Sequence, residues 1–290
     1  MTHPLMPTTP PLTQKVIEAN IAVHSRLAAH YQECEPHFRP ENVAKVERRL
    51  AALVSETPAE SLLDLGCGTG FMINIAKHHV RRIVGVDVTP AMLERVDRSG
   101  SANIELVNHD TGTYPVNPGG FQLVTAYSFL HHLAELVPTF GTASRALASG
   151  GKFYADLDPN FYFWESIYKL ERGGDYHPLV RREIEAVTFK DEEIEAKFGV
   201  SREVFNHAEF GKDMAGGFKE ETLRQQLLEA GFARVEFHYH WFLGEGFLIN
   251  SGSATREELF QQASIVNDAL QRALPVSRHL FKYLGFVATK

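Results

Sequence analysis

The run Leu62-Leu63-Asp64-Leu65-Gly66-Cys67-Gly68-Thr69-Gly70 constrains this chain more than any other stretch. An apolar segment carrying one acid ends in alternating glycines, and Phe71-Met72-Ile73-Asn74-Ile75-Ala76 follows at once. The order reads as a buried strand, a tight turn and a helix start, the nucleotide-binding corner of a doubly wound sheet. Glycines at alternate positions permit positive φ and let a ligand reach bare backbone. The spacing is G-x-G-x-G, and Phe71 stands where a dinucleotide fingerprint has its third glycine.

Strands and helices alternate from this corner onward. Strands are expected at Ser61–Leu65, Arg82–Val86, Asn103–Val107, Phe121–Ala126 and Lys152–Leu157. Helices are expected from about Phe71 to His79, from Thr89-Pro90, and from about His131 to Leu147, with Ser149-Gly150-Gly151 as a turn. This rhythm means a parallel sheet with right-handed crossovers. Two helices precede it, over residues 13–33 and 41–54, the first with Val16, Ile17, Ile21, Val23, Leu27, Ala28 and Tyr31 at helical spacing. The rhythm breaks over 160–213, aromatic at first (Phe161 to Trp164, Tyr168) and then charged. An insertion of that length suits a lid. A helix Lys219–Ala230, a strand Arg234–Phe242, a helix Thr255–Leu274 and a strand Phe281–Ala288 close the chain.

Composition narrows the class. With 290 residues and 44% hydrophobic content the chain can bury a sizeable core. Its net charge of −7 speaks against sequence-blind nucleic-acid binding, which needs a basic face. Cys34 and Cys67 are the only cysteines, and Cys67 lies inside the glycine turn, so free thiols and a cytoplasmic setting are expected. No apolar run approaches the ~20 residues that span a bilayer. The Pro- and Thr-rich start, residues 1–12, reads as a flexible tail.

Asp87 ends the second strand about 20 residues beyond the glycine turn, the position of an acid that accepts hydrogen bonds from ribose hydroxyls. Together with Asp64 and the glycine run, it makes this segment resemble motif I of the class I S-adenosylmethionine (SAM)-dependent methyltransferases, in the small-molecule methyltransferase type 11/UbiE-like group. The resemblance covers about Ser61 to Asp158, and 219–290 more loosely. It implies an α/β fold, a Rossmann-like doubly wound sheet of seven strands, mostly parallel with an antiparallel last strand, plus a helical lid. It divides the chain into a helical cover (13–56), a cofactor core (61–158), a lid or acceptor insertion (160–213) and closing elements (219–290), all one domain. It implies SAM as cofactor and S-adenosylhomocysteine as product. Gly66, Cys67 and Gly68 then face the amino-acid half of SAM, Asp64 orients the loop or meets the ammonium, and Asp87, Val88 and Met92 flank the ribose and adenine. Asp110 and Thr111 meet the adenine edge, Ser128 lies at the end of the fourth strand, and Tyr31 closes over the cofactor or packs in the core. His37 and Arg39 are weaker candidates for the same cover.

The acceptor side is read from the sheet's carboxyl edge, where ligands bind in such folds. Ser128-Phe129-Leu130-His131-His132 resembles the segment of small-molecule methyltransferases in which a short polar residue precedes an apolar-His-His run. The Asn/Asp-Pro-Pro-Tyr tetrapeptide of nucleobase and glutamine amino-methyltransferases is absent. His131 is the first candidate for a proton acceptor, with His132 and Asp158 beside it. Asp156 and Asp158 are expected to share a strand face. No metal is expected, because strand four offers Ser128 instead of a carboxylate. His238 and His240, on one face of a strand with Tyr239 and Trp241 on the other, match no cysteine pair for zinc. Phe161 to Trp164, Tyr168, Tyr176 and His177 either wall the acceptor site or anchor the insertion. The expected activity is methyl transfer to oxygen or nitrogen of a small molecule. The rivals are a SAM-binding protein with other or no chemistry, a protein or RNA methyltransferase, and, disfavoured by Phe71 and Asp110, a nicotinamide dehydrogenase.

Overall fold

The computed structural model describes residues 11–251 and 254–290; the expected tail lies almost wholly outside them. Seven strands form one sheet in the order β3-β2-β1-β4-β5-β7-β6. They are β1 (Ser61–Leu65), β2 (Arg82–Asp87), β3 (Asn103–Asn108), β4 (Phe121–Tyr127), β5 (Leu147–Pro159), β6 (Arg234–Phe242) and β7 (Phe281–Thr289). β7 runs antiparallel to both β5 and β6, and all other pairs are parallel. β1 is buried throughout, as a central strand covered on both faces must be.

The strand period of two sends alternate side chains to two cores. Leu63, Leu65, Val84, Val124 and Phe153 pack on one face with Phe140, Leu223 and Leu227. Leu62, Ile83, Leu123 and Tyr154 pack on the other with Val46, Leu50, Leu53 and Ile75. The helices before β4 are α1 (Leu12–Leu27), α2 (Tyr31–Cys34), α3 (Pro40–Glu56), α4 (Phe71–Ala76) and α5 (Pro90–Leu93). α6 (Val137–Ala146) joins β4 to β5. The insertion holds α7 (Phe161–Tyr168), α8 (Pro178–Val187), α9 (Asp191–Phe198) and α10 (Arg202–Ala208), followed by a π turn over Phe210–Met214. Three more helices follow: α11 (Glu220–Glu229), α12 (Glu245–Ser251) and α13 (Arg256–Arg272).

Three local expectations are corrected. The helix from His131 is a short 3-10 turn, Leu130–His132, and α6 starts only at Val137. Pro138 sits in its first turn, where the missing N–H costs nothing; a helix running through it from His131 would lose a bond and clash with the turn before. The 149–151 turn is an irregularity inside a longer β5: Gly150 takes φ +76°, Gly150 N–H donates to the Lys290 carbonyl, and Lys290 N–H donates to that of Gly151. Further along β5, Leu157 has φ +62°, and the pairing with β7 shifts register between Ala155 and Asp158. That bulge breaks the alternation, so Asp156 and Asp158 serve different neighbours.

α1 does not pack directly on the sheet's main cores. Ala19 and Val23 join Ile194, Val200, Phe205 and Ala208 in a separate small core. The N-terminal helix and the insertion thus make one body at the sheet's carboxyl edge.

Candidate functional site

The glycine corner is built as the spacing demands. Gly66, Gly68 and Gly70 take φ of +71°, +51° and +87°. A side chain at Gly66 would collide with the Phe129 ring, its Cβ falling 1.9 Å from Cδ2. Asp87 ties the corner down. Its Oδ2 accepts the Gly68 N–H at 2.9 Å, and its Oδ1 accepts the Thr89 N–H at 2.8 Å. Each oxygen keeps a further lone pair. Asp110 Oδ1 accepts the Gly112 N–H, and its Oδ2 accepts the Thr113 hydroxyl, an Asx turn at the next strand end.

The glycine corner, Asp87 and Asp110 line one open cavity. Gly66, Cys67, Gly68, Asp87, Val88, Met92, Asp110, Thr111 and Ser128 form its floor. Tyr31, His37 and Phe38 close one side, and Ile17, Asn20 and His24 of α1 form the roof. No sequence signal marks these three α1 residues, which read only as helix positions. Cys67 is buried and Cys34 exposed, both as free thiols.

Asp64 lies beneath the corner and not in the cavity wall. Its Oδ1 accepts the Thr125 hydroxyl at 2.7 Å, while Oδ2 is buried without a partner, as is Thr69 Oγ1. Burial pushes the Asp64 carboxyl up to about 7. Two orphaned polar oxygens beside a bare glycine turn suit a ligand that brings donors of its own, such as an ammonium.

The paired histidines part company. His131 is buried, and its Nδ1 sits 2.8 Å from Asp158 Oδ1, which also accepts the His131 N–H. Burial lowers the imidazole to about 4 and raises the carboxyl well above its usual range. The two are a buried hydrogen-bonded pair, not a surface ion pair. His132 lines the cavity instead. Its Nδ1 is 2.7 Å from the Ala208 carbonyl, so Nδ1 carries the hydrogen and Nε2 is left as an acceptor. Burial, then His131 and His24, hold His132 well below its ordinary value. Its ring meets the edge of His24 at 4.7 Å, and Asn20 Nδ2 donates to its carbonyl at 3.0 Å.

Among the described residues, none of 160–213 lines this cavity. Phe163, Trp164 and Ile167 pack with Leu243 and Tyr283, so this part of the aromatic run anchors the insertion. Asn160 caps α7 and donates to the carbonyls of Arg278 and Phe281, both at 2.7 Å. α10 backs α1 and supplies the Ala208 carbonyl to His132.

Among the described residues, three non-glycine residues take left-handed φ: Ser128 (+51°), Leu157 (+62°) and Trp241 (+56°). They stand at the carboxyl ends of β4, β5 and β6. Such positions cost about 1–3 kcal/mol each and cluster where ligands bind. At Trp241 the turn breaks the expected alternation, so its side chain joins those of His238 and His240 around a second cavity. Among the described residues, no helix is long and apolar enough to cross a membrane.

Residues 63–155 match a protein family described as a methyltransferase domain. The 18S rRNA (guanine-N(7))-methyltransferase bud23 of Schizosaccharomyces pombe is 30% identical over 137 residues, 46% of this chain and 46% of that protein. The chain therefore spans less than half the length of that relative. A ubiquinone biosynthesis O-methyltransferase of Saccharophagus degradans is 22% identical over 181 residues, 57% of this chain and 77% of that one. A solved structure of a Haemonchus contortus phosphoethanolamine N-methyltransferase 2, in complex with phosphomonomethylethanolamine and S-adenosylhomocysteine, superposes with a TM-score of 0.54 at 16% identity. It covers 98% of this chain and 61% of that one, and the likeness is one of fold.

Proposed function

We propose that this chain, whose residues 63–155 form a domain of the SAM-dependent methyltransferase family, binds SAM in the cavity under α1 and passes its methyl to oxygen or nitrogen of a small molecule. One observation carries the reading. The glycine turn, Asp87 and Asp110 converge on the same cavity as His24, Tyr31 and His132, which arrive from the opposite wall.

SAM supplies an activated methyl on a sulfonium centre. The chain's own work is binding, orientation and proton handling. Asp87 is the ribose acceptor, since each oxygen has spare capacity after holding a backbone N–H. The Gly66–Gly68 backbone and Thr69 take the polar end of the amino acid, with Asp64 beneath them. The roof over this floor excludes water and holds the acceptor against the methyl, and much of the acceleration comes from that orientation. Where the acceptor must lose a proton, His132 takes it at Nε2. This moves the role away from His131, whose Nδ1 is committed to Asp158 and whose ring lies behind the wall. The His131–Asp158 pair then fixes the turn on which His132 stands.

Calorimetric titration with SAM, S-adenosylhomocysteine and NAD tests the cofactor. Saturable one-site binding of both adenosyl ligands and none of NAD is expected; absence of adenosyl binding overturns the reading. Likeness to an rRNA methyltransferase supports a second reading, an RNA acceptor. Strongly salt-dependent RNA binding would favour it, against the net charge of −7.

A further inference from the structure

We propose that Asp156, His238 and His240 form a binding site for a divalent cation of the zinc class, separate from the cavity under α1. This goes beyond the methyl-transfer reading and needs nothing from it. The three residues come from β5 and β6 and meet across β7 on the sheet face that carries α3. His238 Nε2 lies 3.3 Å from Asp156 Oδ2, and His240 Nε2 lies 3.1 Å from the same oxygen. All three ligand atoms fall within 4.8 Å of one another.

These contacts are short, yet they are not hydrogen bonds. Both ring nitrogens of His238 and Nε2 of His240 are buried without a hydrogen-bond partner. Atoms this close but not aligned as donor and acceptor have the relation of neighbouring ligands on a coordination polyhedron. With metal–ligand bonds of about 2.0–2.2 Å, adjacent ligand atoms lie roughly 3.0–3.5 Å apart. Two imidazoles and one carboxylate favour zinc and its first-row neighbours over magnesium or calcium, which prefer oxygen.

The surroundings are those of a built site. The Tyr154 hydroxyl donates to Asp156 Oδ2 at 2.6 Å, and the Leu157 N–H donates to Oδ1 at 2.7 Å, so the carboxylate is fixed from outside the cluster. Gly285 on β7 leaves the cradle open: a Cβ there would fall 2.5 Å from both Asp156 Oδ1 and His238 Nε2. The strained backbone at Leu157 and Trp241 flanks the ligands on both strands. The site opens into a surface cavity with Asn42, Lys45 and Arg49 of α3 on its wall. Three protein ligands leave a coordination position for water or an anionic ligand on that side. Tyr127 lines both this cavity and the one under α1.

The other histidine cluster, His131, His132 and Glu209, lacks these marks. Its Nδ1 atoms are engaged by Asp158 and the Ala208 carbonyl, and Glu209 is paired with Lys212. The third ligand of the proposed site could not be paired with the His-x-His by spacing, because about 80 residues separate Asp156 from His238 and only the strand order brings them together.

The test uses tag-free full-length protein stripped with chelator, titrated with Zn²⁺ by calorimetry and with Co²⁺ by visible absorption. One equivalent of each should bind, with Co²⁺ bands of a low-coordinate nitrogen and oxygen site. His238→Gln and His240→Gln should each weaken binding by more than about 100-fold, and Tyr154→Phe by about 10-fold. His132→Gln should bind as the unaltered protein does. His240 is the least buried ligand, and circular dichroism of its variant separates loss of metal from loss of fold. No saturable equivalent, or undiminished binding in both histidine variants, overturns the proposal. So does equal loss in His132→Gln, which would place the ion at the other cluster.

Discussion

The glycine corner and the roof above it hold one cavity by opposite means. The corner is made of backbone: three left-handed glycines and a carboxylate that accepts two amide hydrogens. It belongs to the sheet and shares the sheet's cores. The roof is made of side chains. α1, α9 and α10 share a core of Ala19, Val23, Ile194, Val200, Phe205 and Ala208, apart from the sheet's two main cores, while α7 is anchored on β7 through Tyr283. A backbone device is as rigid as the sheet that carries it. A six-residue satellite core can open without it, which suits a part that must admit and release ligands.

Phe205→Ala is the strongest way to break this comparison. Phe205 is buried, its ring tilted against Phe198 at 4.6 Å and edge-on to Phe189 at 6.0 Å. Truncation should cost about 3–5 kcal/mol of local stability. Hydrogen exchange should rise in 12–27 and 191–208 while amides of β1, β2 and β4 stay protected. Exchange rising equally across the sheet would mean that roof and corner unfold as one unit.

His37 lies on the seam, its ring 4.7 Å from Phe38, 4.9 Å from Phe71 and 5.7 Å from Tyr127. Burial lowers it to about 4. In the unfolded chain it titrates near 6.5. Between those values the unfolded state binds a proton that the folded state refuses, so stability is flat above about pH 6.5 and falls as the pH drops towards 4. The loss reaches up to about 3 kcal/mol at the acid end. Urea midpoints at pH 7 and 4.5 check this, and His37→Gln should show a smaller drop than the parent. His131 makes a poorer probe, because burial moves Asp158 in the opposite sense and the pair's two contributions oppose each other.

The centre of the sheet was legible because β1 and β2 are short, mostly apolar runs that lead into the Gly66 turn and end at Asp87. β6 falls where its pattern puts it, from Arg234 to Phe242, and the corner follows from spacing alone. What was not legible depends on contacts distant in sequence. α12 gives no strong period over Glu245–Ser251. Asn20 and His24 read as helix-surface positions until the fold sets α1 over His132. The bulge at Leu157 sends Asp156 to the β6 histidines and Asp158 to His131, where regular alternation would have kept them together. Strand periodicity cannot foresee a residue that turns left-handed.

Asp87→Ala probes the corner alone. If Asp87 accepts ribose hydroxyls, its removal takes away charge-assisted bonds worth about 1.5–3 kcal/mol, a roughly 10–150-fold loss of SAM affinity. The same change frees the Gly68 and Thr89 amides, so some affinity could be lost through a loosened turn instead. Asp87→Asn separates the two causes. It keeps one acceptor oxygen and offers a donor, so it should recover part of the turn's order and little of the diol recognition. Thermal melts of both variants without ligand report the turn, and calorimetry with SAM reports the diol. Affinity that returns in step with the melting temperature would make Asp87 a scaffold residue only. Affinity that stays low in a variant of parental stability leaves the carboxylate as a ligand contact, and leaves the roof, which neither variant touches, as an independent part of the site.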